Sequence, residues 1–149
     1  MNRLAGKVAL ITGAGQGVGQ GIAFAMAAAG ASVVVAGRTL EKVQRTAAEI
    51  AHRGGEALAT TCDVKSASDL SRVVDECVLR FGGIDILVNN AQEVPLGPLL
   101  DVDDEAFLAG FESGPLASFR LMKLVHPHMI GRGAERCSTL LRQLAYAGT

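Results

Sequence analysis

The chain has 149 residues, about one domain, and its 49% hydrophobic and 19% charged residues fit a globular protein that buries a substantial core rather than a disordered one. A formal net charge of -1, scattered Lys and Arg and an aromatic content of 4% argue against a nucleic-acid surface and give no field toward an anionic membrane. Cys62, Cys77 and Cys137 are far apart, form no CxxC pair and have no histidine at zinc spacing, so no metal site is expected, only small buried thiols in a reducing compartment.

The elements alternate from the start. Lys7–Thr12 is a β-branched, nearly unbroken apolar run, as in a strand buried on both faces. A glycine cluster follows, then the helix-forming run Ile22–Ala29, closed by Gly30. Ser32–Ala36 predicts the second strand. Leu40–Ala51 predicts an amphipathic helix with Glu41, Lys42, Arg45 and Glu49 on its wet side, ended by Gly54-Gly55. Glu56–Thr61 is a weaker third strand, and Ser66–Phe81 a helix capped by Ser66 or Ser68. Ile84–Asn89 is the fourth strand; Asp101–Phe111 and Leu116–Ile130 are two helices separated by Gly114-Pro115.

Strands alternating with helices imply right-handed crossovers and a parallel sheet covered on both faces. The expected fold is therefore α/β: a Rossmann-like, doubly wound parallel sheet of order 3-2-1-4, incomplete, with the fourth strand an open edge. One domain is expected over residues 1–133, followed by an atypical tail, 134–149. The apolar stretch Ile22–Val35 is broken by Gly30 and Ser32, too interrupted for a membrane span, and Met1 opens no signal-peptide pattern. The default expectation is a cytoplasmic protein.

The sharpest chemical signal is Thr12-Gly13-Ala14-Gly15-Gln16-Gly17-Val18-Gly19, between the first strand and the first helix. Gly13 permits a tight turn, Gly17 lets the backbone approach a pyrophosphate, and Gly19 lets helix pack closely on strand. The helix N-terminus then aims free N–H groups and the positive dipole end at phosphates. No Gly-Lys-Ser/Thr follows, so the loop is not a P-loop. The second strand leads into Gly37-Arg38, where an acidic residue would bind a ribose 2′-hydroxyl and an arginine suits a 2′-phosphate. Arg38 therefore points to NADP, with NAD left open because Gln16 adds no second positive charge.

The loop's glycine spacing resembles that of the short-chain dehydrogenase/reductase family. Cys62-Asp63-Val64 and Asn89-Asn90-Ala91-Gln92 resemble two further motifs of that family, and the resemblance covers about Leu4 to Gly131. It implies that Gly13, Gly15, Gln16, Gly17, Val18 and Gly19 hold the cofactor phosphates. It also implies that Asp63 contacts the adenine amino group, Val64 lines the ring, Asn89 and Ala91 lie along the cofactor, and Asn90 ties neighbouring strands. The implied activity is hydride transfer between the nicotinamide and a small-molecule carbonyl or alcohol, in a homo-oligomer that pairs through the last long helix.

Three departures matter. Gln92 stands where the family motif has glycine, so its backbone must avoid positive φ. Gly114 stands where the family usually carries a catalytic asparagine. The family's Tyr-x-x-x-Lys, in which a cation lowers a phenol pKa of about 10, is missing: Tyr146 is the only tyrosine. No catalytic residue is assigned. Ala134–Gln143 lacks a β-branched run and suggests a polar helix or disordered tail where a fifth strand is due. We hypothesise that the reading frame departs from the family pattern near Gly133. Coding DNA in which a one-base shift fails to restore a strand, a serine and Tyr-x-x-x-Lys would sink that idea. The alternative function is a non-catalytic dinucleotide-binding or interaction module; a methyltransferase with a similar loop gives Asn89-Asn90-Ala91 no role.

Overall fold

The computed structural model describes residues 2–133 and 136–139. Its elements are β1 (Val8–Thr12), α1 (Gly17–Ala28), β2 (Ser32–Gly37), α2 (Leu40–His52), β3 (Glu56–Thr61), α3 (Ala67–Phe81) and β4 (Ile86–Asn89). A 3-10 turn (Leu99–Asp101), α4 (Asp104–Phe111), a π-turn (Glu112–Leu116), α5 (Ala117–Gly131) and β5 (Arg136–Thr139) follow. The sheet is parallel, in the order β3-β2-β1-β4-β5.

Each central strand sends alternate side chains to two cores. Leu10 and Val34 join Leu70, Val73, Leu121 and Val125 on the face covered by α3 and α5. Ile11, Val33 and Val35 join Ala23, Val43 and Ile50 on the face covered by α1 and α2. This two-sided burial is why β1 and β2 read as continuous apolar runs. Each such fully buried Val, Leu or Ile contributes about 1.5–3 kcal/mol.

The helices start where local chemistry lets them. Ser66, not Ser68, caps α3 by accepting from the Asp69 amide at 3.3 Å, and Asp103 caps α4 by accepting from the Ala106 amide at 2.8 Å. Gly30 adopts φ +98 just past the end of α1, and Gly82 at φ +81 ends α3. Helix α1 begins at Gly17, five residues before the apolar run that predicts it, so the loop glycines supply its first turn.

Three sequence expectations are corrected. Gly114-Pro115 does not separate two helices: both lie in the π-turn that joins α4 to α5. Proline lacks a donor and its ring crowds the carbonyl four residues back, and the wider turn accommodates both. β4 begins at Ile86 rather than Ile84. At Asp85 the backbone amide still donates to the Val8 carbonyl at 2.9 Å, but the returning Val8 amide is accepted by the Asp85 side chain at 2.8 Å instead of by a backbone carbonyl, so the regular ladder starts one residue later. Finally, β4 is not an edge. β5 pairs with it from Ile86↔Arg136 to Asn89↔Thr139, so a strand stands where a helix or disordered tail is expected. Strand propensity is a weak guide here, since the outer backbone groups of β4 need partners whatever side chains supply them. The rest of the expected tail, residues 134–135 and 140–149 with Tyr146, lies outside the described residues.

At the N-terminal end of the sheet, Asp85 is 3% exposed and also accepts from Arg132 Nε at 3.0 Å. Arg132 reaches on to the Gly6 carbonyl at 3.1 Å. Replacing Asp85 with Ala strands the Val8 amide and loosens Arg132. Asp85→Ala should cost about 2–3 kcal/mol, read as a lower urea midpoint with an unchanged slope.

Candidate functional site

The sheet's C-terminal edge opens into a cleft of about 500 Å³. Its floor is the turn from β1 into α1. Gly13 takes φ +64, and a side chain there would stand 2.8 Å from Asn90 Nδ2 and 2.9 Å from Ala91 Cα. The closeness has a cause: Asn90 donates through Nδ2 to the Thr12 and Gly13 carbonyls at 3.1 and 3.0 Å. The Asn90 and Ala91 amides both donate to Thr12 Oγ1 at 3.1 Å. Asn90 thus ties β4 to β1, the role that the family resemblance implies for it. Gly19 lies beneath, where a Cβ would come within 2.2 Å of the Gly13 carbonyl and 2.4 Å of Asn90 Nδ2.

Gly17, at φ +58, has the opposite environment: a side chain there would meet nothing within 4 Å. It opens α1, whose first turn carries no acidic residue and whose N-cap, Gln16, makes no side-chain cap. The exposed backbone amides of that turn therefore face open space, which fits an anionic group.

Of the residues singled out from sequence, Gly13, Gly15, Gln16, Gly17, Val18, Arg38, Asp63, Val64 and Ala91 line this one cleft. Gly19 and Asn89 do not. Gly19 is buried under the loop, and Asn89 ends β4 at 5% exposure. Asp63 also accepts from the Lys65 amide at 3.0 Å, so it is a turn residue as well as a wall of the cleft. Val64 is buried beside it.

The wall also holds residues that sequence reasoning did not assign to the site, among them Lys42, Gln92, Glu93 and Ser113. Lys42, expected on the wet face of α2, hydrogen-bonds Gln16 Oε1 at the rim. Its signal was available: a helix starting just after a strand end presents its first turn to the cleft. Glu93 accepts through Oε1 from both Arg38 Nη1 at 2.8 Å and Lys65 Nζ at 2.9 Å. The hydrogen bond to Glu93 raises the Lys65 pKa above its ordinary value. Ser113, held inward by the π-turn, accepts from the Glu93 amide at 2.7 Å and donates to the Gly110 carbonyl at 3.3 Å.

Gln92 takes no positive φ, as its replacement of glycine requires. Its side chain instead packs over Gly114, where a Cβ would stand 2.9 Å from Gln92 Nε2. Gln92 Oε1 is buried and has no hydrogen-bond partner among the described residues. The two departures from the family pattern are therefore one packing unit: a side chain added at 92 fills the space left bare at 114.

Cys62 lines the cleft but is 2% exposed, and burial, reinforced by Asp69, pushes its thiol up to about 12. Burial likewise pushes Cys77 up to about 12. Both remain protonated at neutral pH, as small buried hydrophobes do. Cys137 lies in β5.

A doubly wound sheet with a glycine turn and an open helix N-terminus at its C-terminal edge is the Rossmann arrangement. A family model described as short chain dehydrogenase matches residues 7–136, and the chain belongs to that family. It is 40% identical over 143 residues to 7alpha-hydroxysteroid dehydrogenase of Escherichia coli strain K12, covering 96% of this chain and 56% of that protein. It is 38% identical over 155 residues to a hydroxynaphthalene reductase-like protein of Metarhizium majus, covering 98% and 58%. Among solved structures, a hydroxysteroid dehydrogenase from Escherichia coli superposes with a TM-score of 0.87 at 39% identity, over 92% of this chain and 56% of that one. A 7alpha-hydroxysteroid dehydrogenase complexed with NADH and 7-oxo glycochenodeoxycholic acid superposes at 0.88 and 39%, over 93% and 54%. The chain thus spans little more than half the length of these relatives.

Two outcomes follow from the site's packing. Gly114→Asn should destabilise by about 1–3 kcal/mol through collision with Gln92, and adding Gln92→Gly should recover most of the loss in thermal melts. Cys62 should resist an aromatic disulfide reagent at pH 8 in the folded protein and react only after unfolding in guanidinium.

Proposed function

We propose that this chain is the dinucleotide-binding part of an oxidoreductase that uses NADP(H) in preference to NAD(H). Hydride exchange with a carbonyl or alcohol of a small molecule would be the reaction of the whole protein. The observation that carries the reading is the open N-terminus of α1 above the Gly13 turn, with Arg38 and Lys42 on the adjoining rim.

In this reading backbone amides on the cleft side of the turn, among Gly15, Gln16, Gly17 and Val18, bind and orient the pyrophosphate, with Gly13 and Gly19 letting the turn take its shape. Asp63 accepts from the adenine amino group, Val64 covers the ring's face, and Asn89 and Ala91 border the path toward the nicotinamide. Arg38 forks onto a ribose 2′-phosphate, and Lys42 adds the second cation missing from the sequence reading. A bound nicotinamide supplies the hydride. This chain's residues bind and orient the carrier, and none among them is assigned a proton-transfer role.

The reading extends to a cytoplasmic protein, in keeping with Cys62 and Cys77 as free, buried cysteines. Among the described residues no helix is long and apolar enough to cross a membrane. Self-association through α4 and α5 is part of it, supported by the exposed Phe107, Phe111, Phe119 and Met122 on those helices.

Fluorescence titration with NADPH and NADH tests the assignment. NADPH should bind more tightly, without turnover of a carbonyl substrate. Arg38→Ala should weaken NADPH by about tenfold or more, the loss of a charge-assisted contact, and leave NADH within twofold. Equal losses for both cofactors would refute the 2′-phosphate role.

A further inference from the structure

The rim of the cleft holds an ion pair that the cofactor reading leaves unused. Glu93 lies beyond β4, Arg38 just beyond β2 and Lys65 just beyond β3, so the contact spans three connections at the C-terminal edge of the sheet. A single oxygen, Glu93 Oε1, takes both cations. The Glu93 backbone is separately fixed by Ser113 Oγ. The carboxylate is therefore delivered to Arg38 from a short, anchored segment rather than from a free arm.

We propose that Glu93 is an internal anion that competes with the ribose 2′-phosphate for Arg38, and so sets how strongly the cleft discriminates between 2′-phosphorylated and 2′-hydroxyl dinucleotides. The inference rests on the assignment of Arg38 above. On binding of a 2′-phosphate, the Arg38 guanidinium passes from one anion to another. Glu93 keeps Lys65, so the carboxylate is not left without a cation when Arg38 departs. A 2′-hydroxyl ligand makes no such demand, and the Arg38–Glu93 pair stays closed. Glu93 thus holds down the preference for a 2′-phosphate that Arg38 and Lys42 would otherwise confer.

The size of the effect follows from exposure. The Arg38 side chain is 64% exposed and that of Glu93 30%. An ion pair this wet is worth at most a few-fold in an equilibrium constant and weakens with salt. Glu93 therefore tunes the preference rather than blocking the site.

Calorimetric titration with 2′,5′-ADP and 5′-ADP, at low salt, reads the proposal directly. Glu93→Gln keeps shape and removes charge. It should tighten 2′,5′-ADP about two- to fivefold and leave 5′-ADP within twofold. Lys65→Met leaves Arg38 as the only cation on Glu93 and should weaken 2′,5′-ADP while sparing 5′-ADP. The Glu93→Gln gain should shrink as salt rises.

If Glu93→Gln shifts both ligands alike, or neither, while the wild type prefers 2′,5′-ADP and Arg38→Ala abolishes that preference, the Glu93 proposal alone is overturned. If the wild type shows no preference and Arg38→Ala changes nothing, the assignment of Arg38 falls and the proposal falls with it.

Discussion

The fold's chemistry hangs on the side-chain amide of Asn90. It donates to two successive carbonyls, Thr12 and Gly13, at the point where β1 turns into α1. The Thr12 hydroxyl returns the connection by accepting the Asn90 and Ala91 amides. These carbonyls and amides lie past the end of the ladder between β1 and β4, where no strand can satisfy them. One side chain therefore decides the shape of the turn. With the Gly13 carbonyl and the Ala91 backbone it leaves no room for a Cβ at Gly13 or Gly19, while Gly17, further around the turn, stays open to the cleft.

This constraint explains what was legible in the sequence. The βα alternation of Val8–Thr12, Ser32–Gly37 and Ile86–Asn89 was visible because two-sided burial writes continuous apolar runs. The glycine turn was visible because collisions with Asn90, the Ala91 backbone and the Gly13 carbonyl admit no larger residue at Gly13 and Gly19. Nine of the eleven residues singled out line one cleft because they cluster at strand ends, which a parallel sheet brings to one edge.

What stayed hidden depended on contacts between segments. Nothing local to Glu93 announces that it meets Arg38, 55 positions earlier. Gln92 and Gly114 each looked like a defect when read alone; only packing shows that one fills the other's space. β5 was missed because its place is set by the unpaired backbone of β4 rather than by its own residues. The π-turn was missed because Gly-Pro ordinarily stops a helix, whereas here Ser113 and Gly114 are buried within a continuous one.

The order of the strands bears on how the chain is born. β1 is the first strand to be made, yet it lies inside the sheet, between β2 and β4. Its second neighbour lies 76 or 77 positions downstream, as Thr12 to Val88 and Val8 to Asp85 show. During vectorial synthesis the glycine turn has no Asn90 to hold it until β4 has cleared the ribosome. Until then β1, β2 and β3 form at most a half-sheet with one side of β1 unpaired, a surface open to misassociation. The nascent protein gains the set shape of its glycine turn in one late step, when the fourth strand docks.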